Sequence, residues 1–420
     1  MDRIDRIRSH VCQTPPSSAP RPNSKEDDDD VVIVSALRTP ITKARRGAFK
    51  DTTPDVLLSH VFQAVLNQAN VSPHLIGDVV VGNVLQPGAG AAMARMAQLA
   101  AGIPYTVPLH VLNRQCSSGL QAVATVVAAI KANYYDIGIA AGVECMSLAG
   151  KNDTKDVFAS INWTHIGAVQ DAMDCTVPMG MTSENVAETY GITRAQQDEL
   201  AALSHAKAAL AQANGWFDDE ITSVTTSVKD KDGQDQPIVV SQDDGVRADT
   251  TREKLAKLRP VFKEGGSTTA GNSSQVSDGA AAVLLVRRSV AKKMGLPILG
   301  HFVSYAVAGV PPALMGIGPA VAIPEALQKA GLTQGEIDVF EINEAFASQT
   351  AYCIEKLGIS IDKVNPKGGA IALGHPLGCT GARQVSTLLY ELKRKNQRYG
   401  AISMCIGTGM GAAAVFEREV

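Results

Sequence analysis

The sequence predicts an α/β protein built as two copies of one layered unit, with a more exposed segment inserted between them. Three observations carry this. First, Ile76-Gly-Asp-Val-Val-Val-Gly-Asn83 matches Glu336-Ile-Asp-Val-Phe-Glu-Ile-Asn343, and Cys116-Ser-Ser-Gly119 matches Gly378-Cys-Thr-Gly381, 33 and 35 residues after the respective Asn. Such self-similarity marks repeated supersecondary units. Ala140-Ala-Gly-Val-Glu144 is expected in the place of Met404-Cys-Ile-Gly-Thr408. Second, the stretch from about Ser118 to Ala132 is apolar on every side. A helix of that kind is buried all round, here between two sheets. Third, the texture changes from about 150 to 265, where charged amphipathic stretches (Ser183–Glu188, Arg194–Asn214) precede a polar strand-like region ending near Asp243. The expected domains are a disordered tail at 1–30, a first half at 31–290 carrying the inserted domain, and a second half at 291–420.

The elements follow in order. Residues 1–30 hold Pro15, Pro16, Pro20, Pro22 and the run Asp27–Asp30, a composition that does not bury a core. Val31–Val34 is a β-branched apolar run and reads as a buried strand. Thr53-Pro54-Asp55 starts a helix, with Thr53 as N-cap and Pro54 in the first turn. That helix should bury Leu57, Leu58, Val61, Phe62, Val65 and Leu66. Asp78–Val81, Val111–Gln115, Ile137–Gly142 and Ala280–Val286 read as strands. Two copies of such a unit meet across a pseudo-twofold axis, so turns at strand ends face each other, where open α/β sheets place their sites.

Composition excludes several functions. The chain has 420 residues, net charge -3 and pI about 6.3, so no basic footprint for nucleic acid is present. Aromatic residues are 5% and Gly numbers 37, which favours close packing over an aromatic-rich carbohydrate site. Tyr399–Phe416 is uncharged for 18 residues but contains four Gly. It reads as two short strands around a turn, not as a membrane span of about 20 apolar residues. The seven Cys (12, 116, 145, 175, 353, 379 and 405) form no CxxC, so no metal is expected, and free thiols point to a reducing compartment.

Four loops hold candidate chemistry. Cys116, in Asn113-Arg-Gln-Cys-Ser-Ser-Gly119, stands between a strand and a helix N-terminus, where free N–H groups lower a thiol pKa. An inert buried thiol is the other reading. His375, in Gly369-Ala-Ile-Ala-Leu-Gly-His-Pro-Leu-Gly378, is presented by a tight Gly- and Pro-bounded loop. Cys405 opens Cys405-Ile-Gly-Thr-Gly-Met-Gly411, whose glycines free backbone N–H groups for an oxyanion; a core Cys beside a β-turn is the alternative. Asn343-Glu344 follows a strand and can orient a water or a His, or serve as an ordinary helix cap.

Together, NRQCSSG around Cys116, NEAF at 343–346, GHPLG at 374–378 and CIGTGMG at 405–411 resemble the four signature loops of the thiolases. Arg38-Thr-Pro-Ile, Gly271-Asn-Ser-Ser and Ser277-Asp-Gly-Ala-Ala also fit, so the resemblance runs from about Val31 to Val420. It implies the thiolase fold, two duplicated αβαβα layered halves with an inserted loop domain, as a homodimer. Met179-Gly-Met-Thr-Ser-Glu-Asn fits the degradative branch, as in the peroxisomal 3-ketoacyl-CoA enzymes. The implied reaction is thiolytic cleavage of 3-ketoacyl-CoA by CoA to acetyl-CoA and a shortened acyl-CoA, as in fatty acid β-oxidation. By the same resemblance, Cys116 is the acylated nucleophile, His375 its base and Cys405 the acid/base toward acetyl-CoA. Asn343 holds a water at the enolate oxygen, and the Gly407 and Cys116 N–H groups take the oxyanion. Ser274 and Met179 line the substrate. Read from the residues themselves, Arg247, Arg252, Lys254, Lys257 and Arg259 are the best cationic cluster for the CoA phosphates, with a solvated helix face as the other reading. CoA is a co-substrate, and no permanently bound cofactor is implied. A ketoacyl synthase would place His or Asn where Cys405 stands. A non-catalytic acyl-CoA or sterol carrier would be free to lose the three reactive residues, and an acetoacetyl-CoA thiolase would differ in direction and chain length.

Met1–Gln13, drawn as a helix, aligns Arg3, Ile4, Ile7, His10 and Val11 on one face. Arg3-Ile4, five residues, then His10-Val11 resembles the peroxisomal type-2 targeting signal, read by an import receptor. A mitochondrial presequence is the rival, but Asp2 and Asp5 oppose it. The C-terminal Glu-Arg-Glu-Val is not of the Ser-Lys-Leu type.

Overall fold

The computed structural model describes residues 27–149 and 160–419. The expected targeting residues Arg3, Ile4, His10 and Val11 lie outside them. Strand β1 (Val31–Arg38) is buried end to end. Its alternation serves two layers, as successive strand side chains point to opposite faces. Val32 and Val34 pack outward on helix α1 (Pro54–Ala69), while Val31 and Ile33 pack inward. Helix α1 buries all six expected apolar residues. Thr53 takes the extended N-cap conformation, but its side chain makes no capping bond; Pro54 at the helix start sets the entry instead.

Strand β2 (Asp78–Gly82), helix α2 (Ala91–Ala100), strand β3 (Leu109–Leu112), helix α3 (Ser118–Lys131) and strand β4 (Ile137–Cys145) complete the first unit. Strand β3 ends at Leu112, three residues short of the expected Gln115. Gln115 adopts φ 47°, a left-handed conformation that turns the chain out of the sheet. The inserted region contributes helices α4 (Met179–Tyr190) and α5 (Arg194–Ala213) and the hairpin β5 (Val224–Lys229) and β6 (Asp235–Val240). Strand β7 (Ser277–Arg287) returns to the first unit. The second unit comprises β8 (Gly300–Gly309), α6 (Gly318–Ala330), β9 (Val339–Ile342), α7 (Ala347–Leu357), α8 (Leu377–Lys395), β10 (Tyr399–Ile406) and β11 (Met410–Arg418). A short helix, Arg288–Met294, spans the expected boundary at 290.

The strands run β9-β10-β11-β8-β1-β7-β4-β2-β3, with Thr42–Lys43 added beside β7. The join between the halves is narrow. Strands β1 and β8 share only the pairs Val32↔His301 and Ile33↔Gly300. The chain thus folds as two sheets that face each other across α3 and α8, whose apolar side chains share one core with residues from both sheets. Helices α1 and α2 cover one outer face and α6 the other. The two halves build the five layers αβαβα together. At the centre, a Cβ on Gly119 would lie 2.7 Å from the Gly378 carbonyl oxygen, and one on Gly381 would lie 2.1 Å from the Leu120 nitrogen. The repeated Gly in each copy is what lets α3 and α8 touch.

The register of the repeat differs from the sequence reading. Val79 pairs with Ile139 and Val339 with Gly400. Five residues further along each partner strand stand Glu144 and Cys405, so Glu144 is the counterpart of Cys405, not of Thr408. The expected match of Glu144 with Thr408 is thus out of register by three residues. A second difference concerns Asp27–Asp30, expected in the tail. Asp29 meets Arg287 at 3.0 Å, and the Arg288 and Ser289 N–H groups donate to Asp30 and Asp28 carbonyls.

The inserted region is tied to the body by buried charge. Arg38, at the end of β1, donates to Glu220 at 2.7 Å and to Asp243 at 2.7 and 2.9 Å. Lys367 meets the same Glu220 from the second half. Charges buried this deeply must be paired, so this network fixes where the insertion sits. Among the described residues no helix is long and apolar enough to cross a membrane.

Candidate active site

Cys116 sits at the last turn before α3. The Ser118 hydroxyl donates to the Gln115 carbonyl at 2.6 Å and accepts from the Arg114 N–H at 2.9 Å, locking the turn. The Gly407 N–H and the residue's own backbone N–H lie near the half-buried Cys116 sulfur. These favour thiolate, as expected of a helix start. Burial outweighs them and pushes the thiol up to about 11. The sequence expectation of a lowered pKa is therefore corrected: desolvation by the surrounding layers exceeds the helix-end field.

His375 is buried in the loop before α8. Its N–H donates to the Gln275 carbonyl at 3.0 Å. Nδ1 lies 2.6 Å from Thr380 Oγ1, and Nε2 lies 3.3 Å from Asn343 Nδ2. Thr380 itself donates to the Pro376 carbonyl at 3.0 Å. With the hydroxyl proton spent there, Thr380 accepts from Nδ1–H, which leaves the Nε2 lone pair toward the Asn343 amide. Burial, reinforced by the Arg383 charge, lowers His375 to about 3. The ring is neutral, with its basic nitrogen on the site side.

Asn343 follows β9, and its N–H donates to the Ser403 carbonyl at 2.9 Å, beside Cys405. Its buried Oδ1 has no hydrogen-bond partner among the described residues. Buried polar atoms are rarely left so, and an acceptor here suits a water that donates to it. Glu344 behaves differently. It turns away from His375 and accepts from Ser204 at 2.6 Å, Asn365 at 2.8 Å and the Ile371 N–H at 3.2 Å. It holds the segment leading into the His loop.

Cys405 is buried at the end of β10, among Met315, Ala345 and Phe346. Its thiol is raised well above the ordinary range, first by burial and then by the facing Cys116 and Cys353 thiols. Met179, at the start of α4, brings its sulfur to 3.4 Å from where a Gly407 Cβ would stand. Ser274 donates its N–H to the Ala345 carbonyl at 3.0 Å. Cys116, Gly407 and Cys405 thus form one group, with Met179 at Gly407; Asn343 meets His375 and is joined to the strand of Cys405 through Ser403, and Ser274 bonds to Ala345 nearby. Arg247 does not join them by any contact among the described residues. It is exposed, its N–H donates to His205 at 3.2 Å, and its neighbours Lys254 and Arg252 pair with Asp249 and Glu199.

Two residues of the site were missed in the sequence. Thr380 is part of the repeated Gly378-Cys-Thr-Gly381 turn, and its place five residues after His375 was the available signal. Glu144 accepts from the N–H groups of Val84 and Leu85 at 3.1 Å and of Gly378 at 3.0 Å. It joins the loop after β2 to the loop of His375, and burial raises it to about 7. Only the correct strand register shows it as the partner of Cys405.

The Thiolase N-terminal domain family matches residues 31–289, and the Thiolase C-terminal domain family matches residues 296–418. A peroxisomal 3-ketoacyl-CoA thiolase B of Rattus norvegicus is 62% identical over 410 residues, covering 97% of this chain and 95% of the relative. The peroxisomal 3-ketoacyl-CoA thiolase of Homo sapiens is 62% identical over 389 residues, covering 92% and 91%. The crystal structure of the dimeric peroxisomal thiolase of Saccharomyces cerevisiae superposes with TM-score 0.87 at 50% identity, covering 94% of this chain and 99% of that one.

Proposed function

Because the chain belongs to the thiolase family, we propose that it cleaves 3-ketoacyl-CoA with CoA, giving acetyl-CoA and a shortened acyl-CoA in fatty acid β-oxidation. The observation that carries this reading is the approach of two cysteines from opposite halves, Cys116 and Cys405, together with a His375 whose basic nitrogen faces Asn343.

Cleaving a carbon–carbon bond needs a nucleophile at the ketone carbon and a place for the enolate that leaves. Cys116 attacks the 3-keto carbon, and His375 Nε2 takes its proton. The Cys116 and Gly407 N–H groups already face the sulfur, so they are adjacent to the oxygen that becomes negative on the attacked carbon. One such donor is worth about 3 kcal/mol in a dry site. The free site holds a neutral thiol and a neutral imidazole, so the proton moves only as substrate charge develops. His375 and a water on Asn343 hold the thioester oxygen of the enolate. Cys405 protonates the α-carbon, then takes the proton of the incoming CoA thiol, whose sulfur removes the acyl group from Cys116. The order is ping-pong.

CoA is the co-substrate, bound along the inserted domain past Ser274 and Met179, with Arg247 toward its phosphates; no permanent cofactor is needed. A homodimer is supported by the dimeric yeast relative and by β3, which leaves one edge of the sheet open to a second strand. Peroxisomal residence is supported by the names of the relatives, with the import receptor reading Arg3-Ile4 and His10-Val11. The test is CoA-dependent loss of 3-ketoacyl-CoA, followed from short to long acyl chains. Loss across long chains is expected. Turnover of acetoacetyl-CoA alone would move the assignment to the short-chain thiolases, and no turnover of any chain would overturn it.

A further inference from the structure

We propose that Gln349 is a positioning residue for Cys405, donating an amide N–H to the thiolate so that this buried thiol can act in turn as acid and base. The inference rests on the thiolytic reading above.

Gln349 lies in the first turn of α7 and is fully buried. One polar end of its amide is 2.6 Å from the Thr350 backbone nitrogen. An N–H can be met only by an acceptor, so that end is the carbonyl oxygen. The opposite end is then the NH2 group. It lies 3.3 Å from the Asn343 carbonyl oxygen and 3.0 Å from Cys405 Sγ. One N–H therefore bonds to Asn343 and the other points at the sulfur. The amide cannot rotate to suit a thiol, because both Thr350 and Asn343 hold it.

The consequence is selective for charge. Cys405 sits among apolar side chains, and the titratable groups facing it, the Cys116 and Cys353 thiols, also oppose its ionisation. A fixed donor counters this, since a hydrogen bond to a charged group is stronger than one to a neutral group. When Cys405 gives its proton to the α-carbon of the departing enolate, the S–H bond breaks, the new C–H bond forms and the electron pair stays on sulfur, facing the Gln349 N–H. The thiolate then takes the proton of the CoA thiol, and the amide is ready again. Asn343 takes part twice, with its carbonyl on Gln349 and its side chain on His375. The two acid–base centres share one strand end.

The test uses the full-length protein with Gln349→Leu, which keeps volume and removes the donor, and Gln349→Glu, which puts an acceptor there. Exchange of acetyl-CoA α-protons with deuterated water reads the Cys405 step, and alkylation of Cys116 by iodoacetamide, which moves no proton to or from Cys405, reads the nucleophile alone. Expected in Gln349→Leu is a loss of exchange of about 10- to 100-fold, the weight of one hydrogen bond to a charged group, with Cys116 alkylation within about twofold. Expected in Gln349→Glu is a larger loss, with the pH profile of exchange displaced to higher pH. Exchange unchanged in both variants, or exchange and Cys116 alkylation falling together, would overturn the proposal. Absence of exchange in the unaltered protein would instead count against the thiolytic reading itself.

Discussion

His375 Nδ1 lies 2.6 Å from the hydroxyl of Thr380, five residues further along the chain in the first turn of α8. Because that hydroxyl donates onward to Pro376, the contact fixes which ring nitrogen carries the proton. Thr380→Val should remove the acceptor and free the ring to flip or change tautomer. Acylation of Cys116 by acyl-CoA should slow by about 10- to 100-fold, as when a general base loses its orientation. Thr380→Ser should restore most of it, in stopped-flow measurements of the first half-reaction.

The pH dependence of Cys116 has a definite sign. Its folded-state pKa is raised to about 11, so the thiolate fraction grows with pH throughout the neutral and mildly alkaline range. Alkylation of the free enzyme at Cys116 should accelerate about tenfold per pH unit from pH 7 to 10, measured by peptide mapping. A plateau near pH 7 would mean that the helix end outweighs burial after all. In contrast, brief treatment with acyl-CoA at neutral pH should place the acyl group on Cys116 and not on Cys405.

Cys405→Ser separates the two cysteines. The serine hydroxyl is a far weaker acid and base than a thiol, so α-proton exchange of acetyl-CoA should collapse. Slow acylation of Cys116 should persist, because the CoA thiolate can depart, at a lower rate, without the proton that Cys405 gives it. Normal exchange in this variant would require another group to serve the carbon acid.

Gly381→Ala tests the contact between the halves. The new methyl would fall 2.1 Å from the Leu120 nitrogen, against backbone that cannot rotate away. Overpacking of this kind costs about 3 kcal/mol or more. A clear drop in melting temperature and loss of activity together are expected, since α3 carries Cys116 at its start and α8 follows His375.

Residues 1–30 fused to a fluorescent protein should suffice for peroxisomal import. Replacing Arg3 and His10 with Ala should leave the fusion in the cytosol, while the same changes in the full protein leave thiolysis untouched. Mitochondrial fluorescence from the intact fusion would show that the basic face is read as a presequence.

Much of the fold was legible because its signals are local. The β-branched run at Val31, the apolar face of α1, the all-apolar α3 and the repeated turns each report burial through sequence spacing alone. The reactive residues were legible for a related reason. Cys116, His375 and Cys405 each sit in a run of small residues and glycines that serves a tight turn better than a core.

What only the tertiary structure decided is whatever depends on a neighbour from the other half. The equivalence of Glu144 with Cys405 needs the parallel pairing of β2 with β4 and of β9 with β10. The raised thiol of Cys116 needs the surrounding layers, whose desolvation exceeds the field of its own helix. Gln349 is an unremarked helix residue in the chain and becomes the neighbour of Cys405 only when α7 packs beside the end of β10. Sequence alone determined which residues could react, because reactivity begins with side-chain type and turn chemistry. Their protonation states were decided by folding, because desolvation and hydrogen bonding depend on the atoms within a few ångströms, and here most of those come from distant segments.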